Sequence, residues 1–352
     1  MRYVNIDQVE SGDTLARSIY SSDGLTLLQA NVQLTVGMIH KLRRFGVNML
    51  YITDPNFSDV EAEDALTDET KREAISNLST AIQCVQSGKG MDLRSVQKSI
   101  NSIVDETLRN RRVLLNLNDI RTTDNYLFIH SLNVCMMSTA IGVGMGYNNT
   151  QLKELAMGAL LHDIGKSVKQ EDEIQIAGMN SENDHTWLGF NLLRKKHEMS
   201  IVSAHVALQH HEWVNGNGSP RGLTGPEIHD FAKIVAITNY YDNLISPFSD
   251  EETCRPYEAC EKIMALANTR FDLDMVIRFL RSIATYPTGS SLRLSTGEVG
   301  VVIDQNRGLP SRPVVRVIKK DHSRSQRMQE DHNFNDIDLG TETTVFINGV
   351  LE

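Results

Sequence analysis

The adjacent residues His162 and Asp163 constrain the fold of this chain more than any other feature. They follow an apolar stretch that ends at Leu161 and precede Ile164-Gly165-Lys166. Neighbouring residues on a helix point about 100° apart, so both side chains reach one ion cluster only near a helix end or at a bundle centre. Gly165 is able to end the preceding helix. The pair therefore favours a helical bundle built around a metal site.

Further histidines stand at intervals that suit successive helices. Imidazole nitrogens combined with a carboxylate oxygen suit zinc, iron, manganese and similar ions. A single histidine is more often a hydrogen-bonded core or surface residue, but several in motif-like settings before a glycine-rich loop indicate a shared site. The candidate ligands from these motifs are His130, His162, Asp163, His185, His210 and His211.

The composition limits the class of protein. A hydrophobic content of 40% supports a sizeable core, and an aromatic content of 6% suits a helical protein. The net charge of −10 argues against nucleic-acid partners and binding to anionic membranes. The four cysteines lack zinc-type pairing, the N-terminus lacks an apolar signal core, and no apolar run approaches membrane-spanning length. We therefore expect a cytoplasmic protein with no membrane span.

The pattern along the chain predicts a mainly α fold with small mixed and β modules at its two ends. The predicted regions are an N-terminal α/β module (1–58), a helical linker (59–104), a catalytic helical domain (105–285) and a C-terminal β module (286–352). In the first, Ser22-Asp23-Gly24 predicts a hairpin turn and Thr35 to Phe45 a helix. The two amphipathic helices after Asp68 fit either a signalling or dimerisation pair or ordinary packing onto the bundle.

Several ordered motifs run through residues 105–285. They are His130-Ser131, His162-Asp163-Ile164-Gly165-Lys166, His185 with Gly189, His210-His211-Glu212 with the loop Asn215 to Leu223, Ile234 to Leu244, and Arg255-Pro256-Tyr257. Together they resemble the HD-GYP family, a branch of the HD metal-dependent phosphohydrolases. The resemblance implies an HD-type helical bundle. It also implies a bacterial phosphodiesterase that hydrolyses cyclic di-GMP to linear pGpG, with further conversion to GMP left open.

The resemblance further implies a site for two divalent ions, iron, manganese or similar. Two such ions about 3.5–4 Å apart hold a shared hydroxide and clamp the phosphoryl oxygens. Asp163 is expected to bridge them, because a carboxylate has two oxygens to share. His130, His162 and Asn239 would complete one ion, and His185, His210 and His211 the other. The catalytic roles fall to Asp163 and to Lys166, which would hold the phosphate or orient the attacking water.

Substrate contacts are expected from the loop after the paired histidines and from two charged residues. Gly216 and Gly218 allow the backbone to approach a ligand closely. The planar fork of Arg255 suits a phosphate or a guanine, and Asp242 either accepts from the base or supports a ligand. For both charged residues the alternative is a surface ion pair. The predicted substrate-binding residues are Gly218, Ser219, Pro220, Asp242 and Arg255.

Four positions depart from the family pattern. Ser219 stands where the signature loop has tyrosine, and Asn239 stands where an aspartate ligates metal. An asparagine carbonyl still coordinates but carries no charge, so the first ion should bind more weakly. Glu258 stands where a basic residue is usual and would repel a phosphate if it faces the pocket. Tyr126 replaces a glutamate that serves a third ion in some relatives, so we expect two ions at most.

These departures leave more than one function open. The first is a phosphodiesterase for cyclic di-GMP. The second is a noncatalytic cyclic-dinucleotide sensor or interaction scaffold, and a third is action on another cyclic dinucleotide or phosphate ester. A homodimer or a signalling protein is the expected macromolecular partner.

Overall fold

The computed structural model describes residues 1–60, 63–111, 113–115, 121–122, 125–168, 181–246, 253–319 and 333–351. Helices dominate, so the predicted mainly α class is confirmed. The helices are α1 (Val36–Arg44), α2 (Asp68–Gln86), α3 (Arg94–Arg109), α4 (Tyr126–Gly144), α5 (Asn149–Leu160), α6 (Ser181–Leu193), α7 (Ile201–Gln209), α8 (Asp230–Ile245), α9 (Pro256–Ala265) and α10 (Leu273–Leu280). The strands are β1 (Arg2–Asn5), β2 (Ile19–Tyr20), β3 (Thr26–Leu28), β4 (Met49–Ile52), β5 (Ser291–Leu294), β6 (Val299–Asp304), β7 (Val314–Lys319), β8 (Asn333–Asp338) and β9 (Ile347–Leu351).

The N-terminal module contains α1 and two antiparallel strand pairs. Strand β1 pairs with β4, and β2 pairs with β3 across the predicted turn. The Thr35 hydroxyl caps α1 by accepting a hydrogen bond from the Met38 amide. Gly46, with a φ of 78°, follows the helix and lets the chain reverse into β4. The module has its own apolar core, which includes Leu15, Ile39 and Leu50.

Helices α2 to α10 share one large apolar core. Helix α4 lies at its centre and packs against α5 and α8. By length and composition α4 is apolar enough to cross a bilayer, but 72% of its apolar window is buried inside the protein. Helices α2 and α3 contribute Ile75, Leu78 and Ile103 to the same core. Within this structure the helix pair therefore shows ordinary packing onto the bundle, the second of the two alternatives.

The C-terminal module is an antiparallel sheet with the strand order β8-β7-β6-β5-β9. It lies against the N-terminal module, because Phe57 and Val60 pack on Val301. Arg316 on β7 pairs with Asp59 at 2.8 Å. The Tyr3 amide also donates to the Gly289 carbonyl at 3.0 Å. The two terminal modules therefore contact each other.

Candidate metal centre

Four segments of the bundle bring the predicted ligands together. Helix α4 carries His130, the turn after α5 carries His162 and Asp163, α6 carries His185, and the end of α7 carries the pair His210-His211. Helix α5 ends at Leu160, so His162 and Asp163 do lie at a helix end. We call these six side chains the metal centre: His130, His162, Asp163, His185, His210 and His211.

Gly165 positions the turn after α5 by close packing. A Cβ at this residue would lie 1.9 Å from the His185 carbonyl oxygen and 2.7 Å from the Gly189 amide nitrogen. The sequence predicted that Gly165 ends the preceding helix, but α5 ends at Leu160 with Leu161 as its C-cap. Gly165 lies within a short 3₁₀ helix, Ile164–Ser167. The missing side chain instead lets the turn that carries Asp163 contact the helix that carries His185.

The Asp163 carboxylate faces two groups of imidazoles at once. Its Oδ2 lies 3.4 Å from His162 Nε2 and 3.6 Å from His130 Nε2. Its Oδ1 lies 3.5 Å from His185 Nε2 and 3.6 Å from His210 Nε2. His211 completes the second group, with ligand atoms of His185, His210 and His211 all within 4.8 Å of one another. The carboxylate thus stands between two sets of nitrogen donors.

Hydrogen bonds on the far side of three rings fix which nitrogen faces the centre. His130 Nδ1 donates to Asp242 Oδ2 at 2.6 Å, and His162 Nδ1 donates to the Ala159 carbonyl at 2.8 Å. His210 Nδ1 donates to the carbonyl of Ala207 at 3.0 Å. The Nε2 atoms of these rings therefore face the centre. His130 Nε2 and His162 Nε2 lie 3.3 Å apart, an arrangement that a cation between them would stabilise.

The donor set fits a divalent transition ion. Asp163 Oδ1 and His210 Nε2 are buried and have no hydrogen-bond partner within the described residues. Buried polar atoms normally have partners, so such orphans need explanation. Two donors about 2.1 Å from a common ion lie roughly 3.0–3.4 Å apart, close to the spacing around Asp163. Nitrogen-rich sites of this kind suit iron, manganese or zinc.

Burial favours the neutral form of three imidazoles. It lowers the pKa of both His162 and His210 to about 4, and that of His211 to about 2. Burial alone would raise the pKa of Asp163, but His162, His210 and Lys166 hold it well below the ordinary value. At neutral pH the neutral rings of His162, His210 and His211 therefore stand beside an ionised Asp163 and can coordinate an ion without losing a proton.

Asp242 lies behind the metal centre as a buried support. Its carboxylate accepts from Arg121 at 2.6 and 2.9 Å, and it also accepts from His130. Burial opposes its charge, but Arg121 and His130 lower the pKa of Asp242 to about 2. Its side chain is fully buried, which suits the ligand-supporting alternative rather than contact with a base. Arg121 was missed from the sequence, because no motif links it to Asp242.

Two other predicted residues differ in their relation to the centre. Lys166 Nζ lies 2.6 Å from Asp163 Oδ2, and its side chain is 49% exposed. Asn239 is buried on α8, and its Oδ1 accepts from Asn243 Nδ2 at 3.0 Å. Asn243 in turn accepts from the Tyr126 hydroxyl at 3.1 Å. The role of Asn239 as a metal ligand stays a prediction.

The loop after the histidine pair is held by a buried carboxylate. Glu212 accepts from the amides of Arg221 and Leu223 at 2.8 and 2.9 Å. A Cβ on Gly218 would lie 2.2 Å from the Trp213 amide nitrogen, so close packing requires glycine there. The Ser219 amide donates to the His211 carbonyl at 3.0 Å, and Pro220 follows it. The loop thus begins directly beside a metal-centre residue, although sequence reasoning did not assign Glu212 this role.

Arg255 lies in a different cleft. It is the N-cap residue of α9, where Glu258 accepts from its amide at 2.9 Å. Glu258 thus caps a helix in this structure. Arg255 also lines a cavity of about 320 Å³ together with Tyr257, Tyr286 and residues of the N-terminal module, and the described lining includes none of the metal-centre residues. A contact between Arg255 and substrate stays a prediction.

Comparison with known proteins relates these observations to known families. An HD domain family model matches residues 109–275, and a model of a KOW domain associated with HD domains matches residues 292–352. The chain is similar to a cyclic di-GMP phosphodiesterase from Pseudomonas aeruginosa, with 28% identity over 65% of this chain and 57% of that protein. It is also similar to a 3′3′-cGAMP-specific phosphodiesterase from Vibrio cholerae, with 24% identity over 47% of this chain and 37% of that protein.

The matches cover only part of these relatives. The chain spans about half the length of the first curated proteins it matches. A solved structure of a HDG"Y"P protein from Bdellovibrio bacteriovorus aligns with 79% of this chain and 97% of that chain, at 17% identity and a TM-score of 0.48. The match of the HD domain model to residues 109–275 agrees with the resemblance that the sequence motifs indicated.

Proposed function

We propose that this chain is a metal-dependent phosphodiesterase that hydrolyses cyclic di-GMP to linear pGpG at a site for two divalent ions. One observation carries the proposal: the two oxygens of Asp163 face separate groups of imidazoles. The names of the relatives support a cyclic dinucleotide as the substrate class. The cytoplasm is the proposed location, and a homodimer or a signalling protein remains the expected macromolecular partner.

The reaction adds water across one phosphodiester bond and leaves a 5′-phosphate and a 3′-hydroxyl. Divalent ions bound at such a centre supply a nucleophile from water at neutral pH and neutralise the phosphate. The chain contributes neutral imidazoles and the ionised Asp163, so ligation costs no proton. Lys166 stands beside Asp163 with an exposed stem, from which its ammonium could contact a phosphate oxygen.

The proposal is tested with the full chain supplied with Mn²⁺, or with Fe²⁺ under anaerobic conditions. Products from cyclic di-GMP and from 3′3′-cGAMP are separated by chromatography. We expect linear dinucleotide from the wild type and at least a hundredfold slower turnover from Asp163→Asn. Asp230→Asn is the matched control, because Asp230 is an exposed carboxylate on α8 whose partner is Lys233. Equal turnover in the wild type and Asp163→Asn would contradict the proposal.

A noncatalytic sensor is the second candidate, and Asn239 is the observation that favours it. Its side-chain oxygen already accepts from Asn243, and it brings no negative charge to an ion. A sensor would bind cyclic di-GMP by calorimetry but yield no product with any metal, even at measured full metal content. Asn239→Asp should raise metal occupancy and rate if the missing charge limits the reaction. Asn243→Asp, which adds the same charge one helical turn away, is the control.

A further inference from the structure

A second cleft lies away from the metal centre, where the bundle meets the C-terminal sheet. Its volume is about 710 Å³, and it lies among the C-terminal ends of α3, α4 and α10 and the connection between β6 and β7. The lining includes apolar side chains, among them Leu115, Ala140 and Val143. Four arginines surround this apolar floor: Arg111, Arg278, Arg281 and Arg307. We call it the arginine cleft.

These four guanidinium groups lack acidic partners in the part of the chain that the structure describes. No Asp or Glu appears among the described lining residues, and no described carboxylate forms an ion pair with any of the four. Arg278 donates to the Gly144 carbonyl at 3.2 Å. Such a concentration of unpaired positive charge is unexpected in a chain whose net charge is −10.

Neutralisation of helix ends accounts for only part of this charge. Three helices end at the cleft, and each C-terminus carries the equivalent of roughly −0.5 charge. Four guanidinium groups against three helix ends leave an excess of roughly two to three positive charges. All four arginines are exposed, so their side chains can reach a ligand in the cleft. This excess of positive charge therefore indicates that the cleft binds an anion.

We propose that the arginine cleft binds a phosphate-bearing small molecule of nucleotide size. The planar fork of arginine forms paired hydrogen bonds with phosphate oxygens. The apolar floor suits a base, and the volume lies within the ordinary range of small-molecule sites. None of the metal-centre residues is among the described lining, so this site is distinct from the proposed catalytic one.

The cleft also has a physical connection to the metal centre. Ala140 and Val143, which line the cleft, lie on α4, the helix that carries His130. The separation along the helix is about 15 Å from His130 to Ala140. Arg307, by contrast, belongs to the C-terminal sheet module. A ligand in the cleft would therefore contact both the sheet module and the central helix of the bundle.

Calorimetry with the full chain tests the site, with ADP and inorganic pyrophosphate as probes. Arg281→Glu combined with Arg307→Glu reverses two charges at exposed positions of the cleft. The matched control is Arg44→Glu combined with Arg293→Glu, which reverses two exposed arginines outside the cleft lining. Thermal melting of each variant verifies folding. Because the metal centre is unchanged in all three proteins, binding of the probes there would be the same in each.

We expect the wild type and the control to bind ADP with similar affinity and the cleft variant to bind at least tenfold more weakly. The wild type should bind ADP more tightly than pyrophosphate, because only ADP has a base for the apolar floor. Equal ADP binding by all three proteins, or no binding by the wild type at millimolar ADP, would overturn the site. Equal affinity for the two probes would overturn its assignment to a nucleotide.

Discussion

The buried group formed by Asp242, Arg121 and His130 allows a sharp test of how the metal centre is supported. Asp242→Asn preserves the shape of the side chain but removes its charge. Arg121, whose side chain is only 10% exposed, would then lose its ionic partner. Breaking a buried ion pair from one side costs about 3–5 kcal/mol, because the remaining charge stays buried and uncompensated. The Asn side chain would also hold His130 less firmly.

Two measurements report these effects separately. The thermal transition of the bundle should fall by roughly 6 °C or more, at about 2 °C per kcal/mol for a domain of this size. The content of bound metal, measured by elemental analysis after dialysis against a fixed metal concentration, should reflect a 10- to 100-fold loss of affinity. If Asp242 only held His130 in place, Asp242→Asn would lower the metal content but would change the melting temperature by much less than roughly 6 °C.

Asp230→Asn on the same helix is the matched control. Its carboxylate is 53% exposed and pairs with Lys233 at 2.9 Å. Exposed pairs of this kind contribute about 0–1 kcal/mol, so both the melting temperature and the metal content should stay near wild type. Wild-type melting and full metal content in Asp242→Asn would refute the argument that this buried group supports the metal centre.

Two further predictions follow from the geometry and electrostatics of the centre. Gly165→Ala should displace α6 and reduce the amount of metal bound by the His185 group, because the added Cβ would lie 1.9 Å from the His185 carbonyl oxygen. Gly37→Ala is the control, because a Cβ there would meet no atom within 4 Å. Wild-type metal content in Gly165→Ala would contradict this prediction. Chelator-treated protein should lose stability as the pH falls from 6.5 toward 4. In this range His162 and His210 bind protons in the unfolded chain but stay neutral in the folded protein, where burial lowers their pKa to about 4. The slope should approach 1.4 kcal/mol per pH unit for each such histidine, and constant melting temperatures from pH 8 to 5 would count against it.

The helical bundle and the grouping of the histidines were accessible from the sequence because local signals determine them. The apolar run before His162 predicts a helix, and the end of that helix allows the side chains of His162 and Asp163 to face one site. The hairpin around Gly24 and the helix capped by Thr35 likewise follow from short-range turn and capping chemistry. In each case the residues that decide the structure lie within a few positions of one another.

Long-range partnerships were not accessible in this way. Arg121 precedes α4 and Asp242 lies on α8, 121 positions further along the chain, so no local pattern indicates their contact. Strand β8 was missed because its two apolar residues, Phe334 and Ile337, do not alternate, and pairing with β7 defines the strand. The close packing that requires glycine at position 165 was missed for the same reason, since the atom that excludes a side chain belongs to His185. Residues expected to contact substrate remain predictions.

The single carboxylate of the metal centre has an electrostatic consequence. Five imidazoles contribute no charge, so two dications would retain a surplus of three positive charges after Asp163 is counted. Each ion would therefore raise the electrostatic cost of loading the other, and an incoming dianion would relieve that repulsion. By thermodynamic reciprocity, the factor by which bound ions raise the affinity for the dianion equals the factor by which the bound dianion raises the affinity for the ions. Occupancy by metal and by ligand should then rise together. Removal of the metal would therefore weaken nucleotide binding as well as turnover.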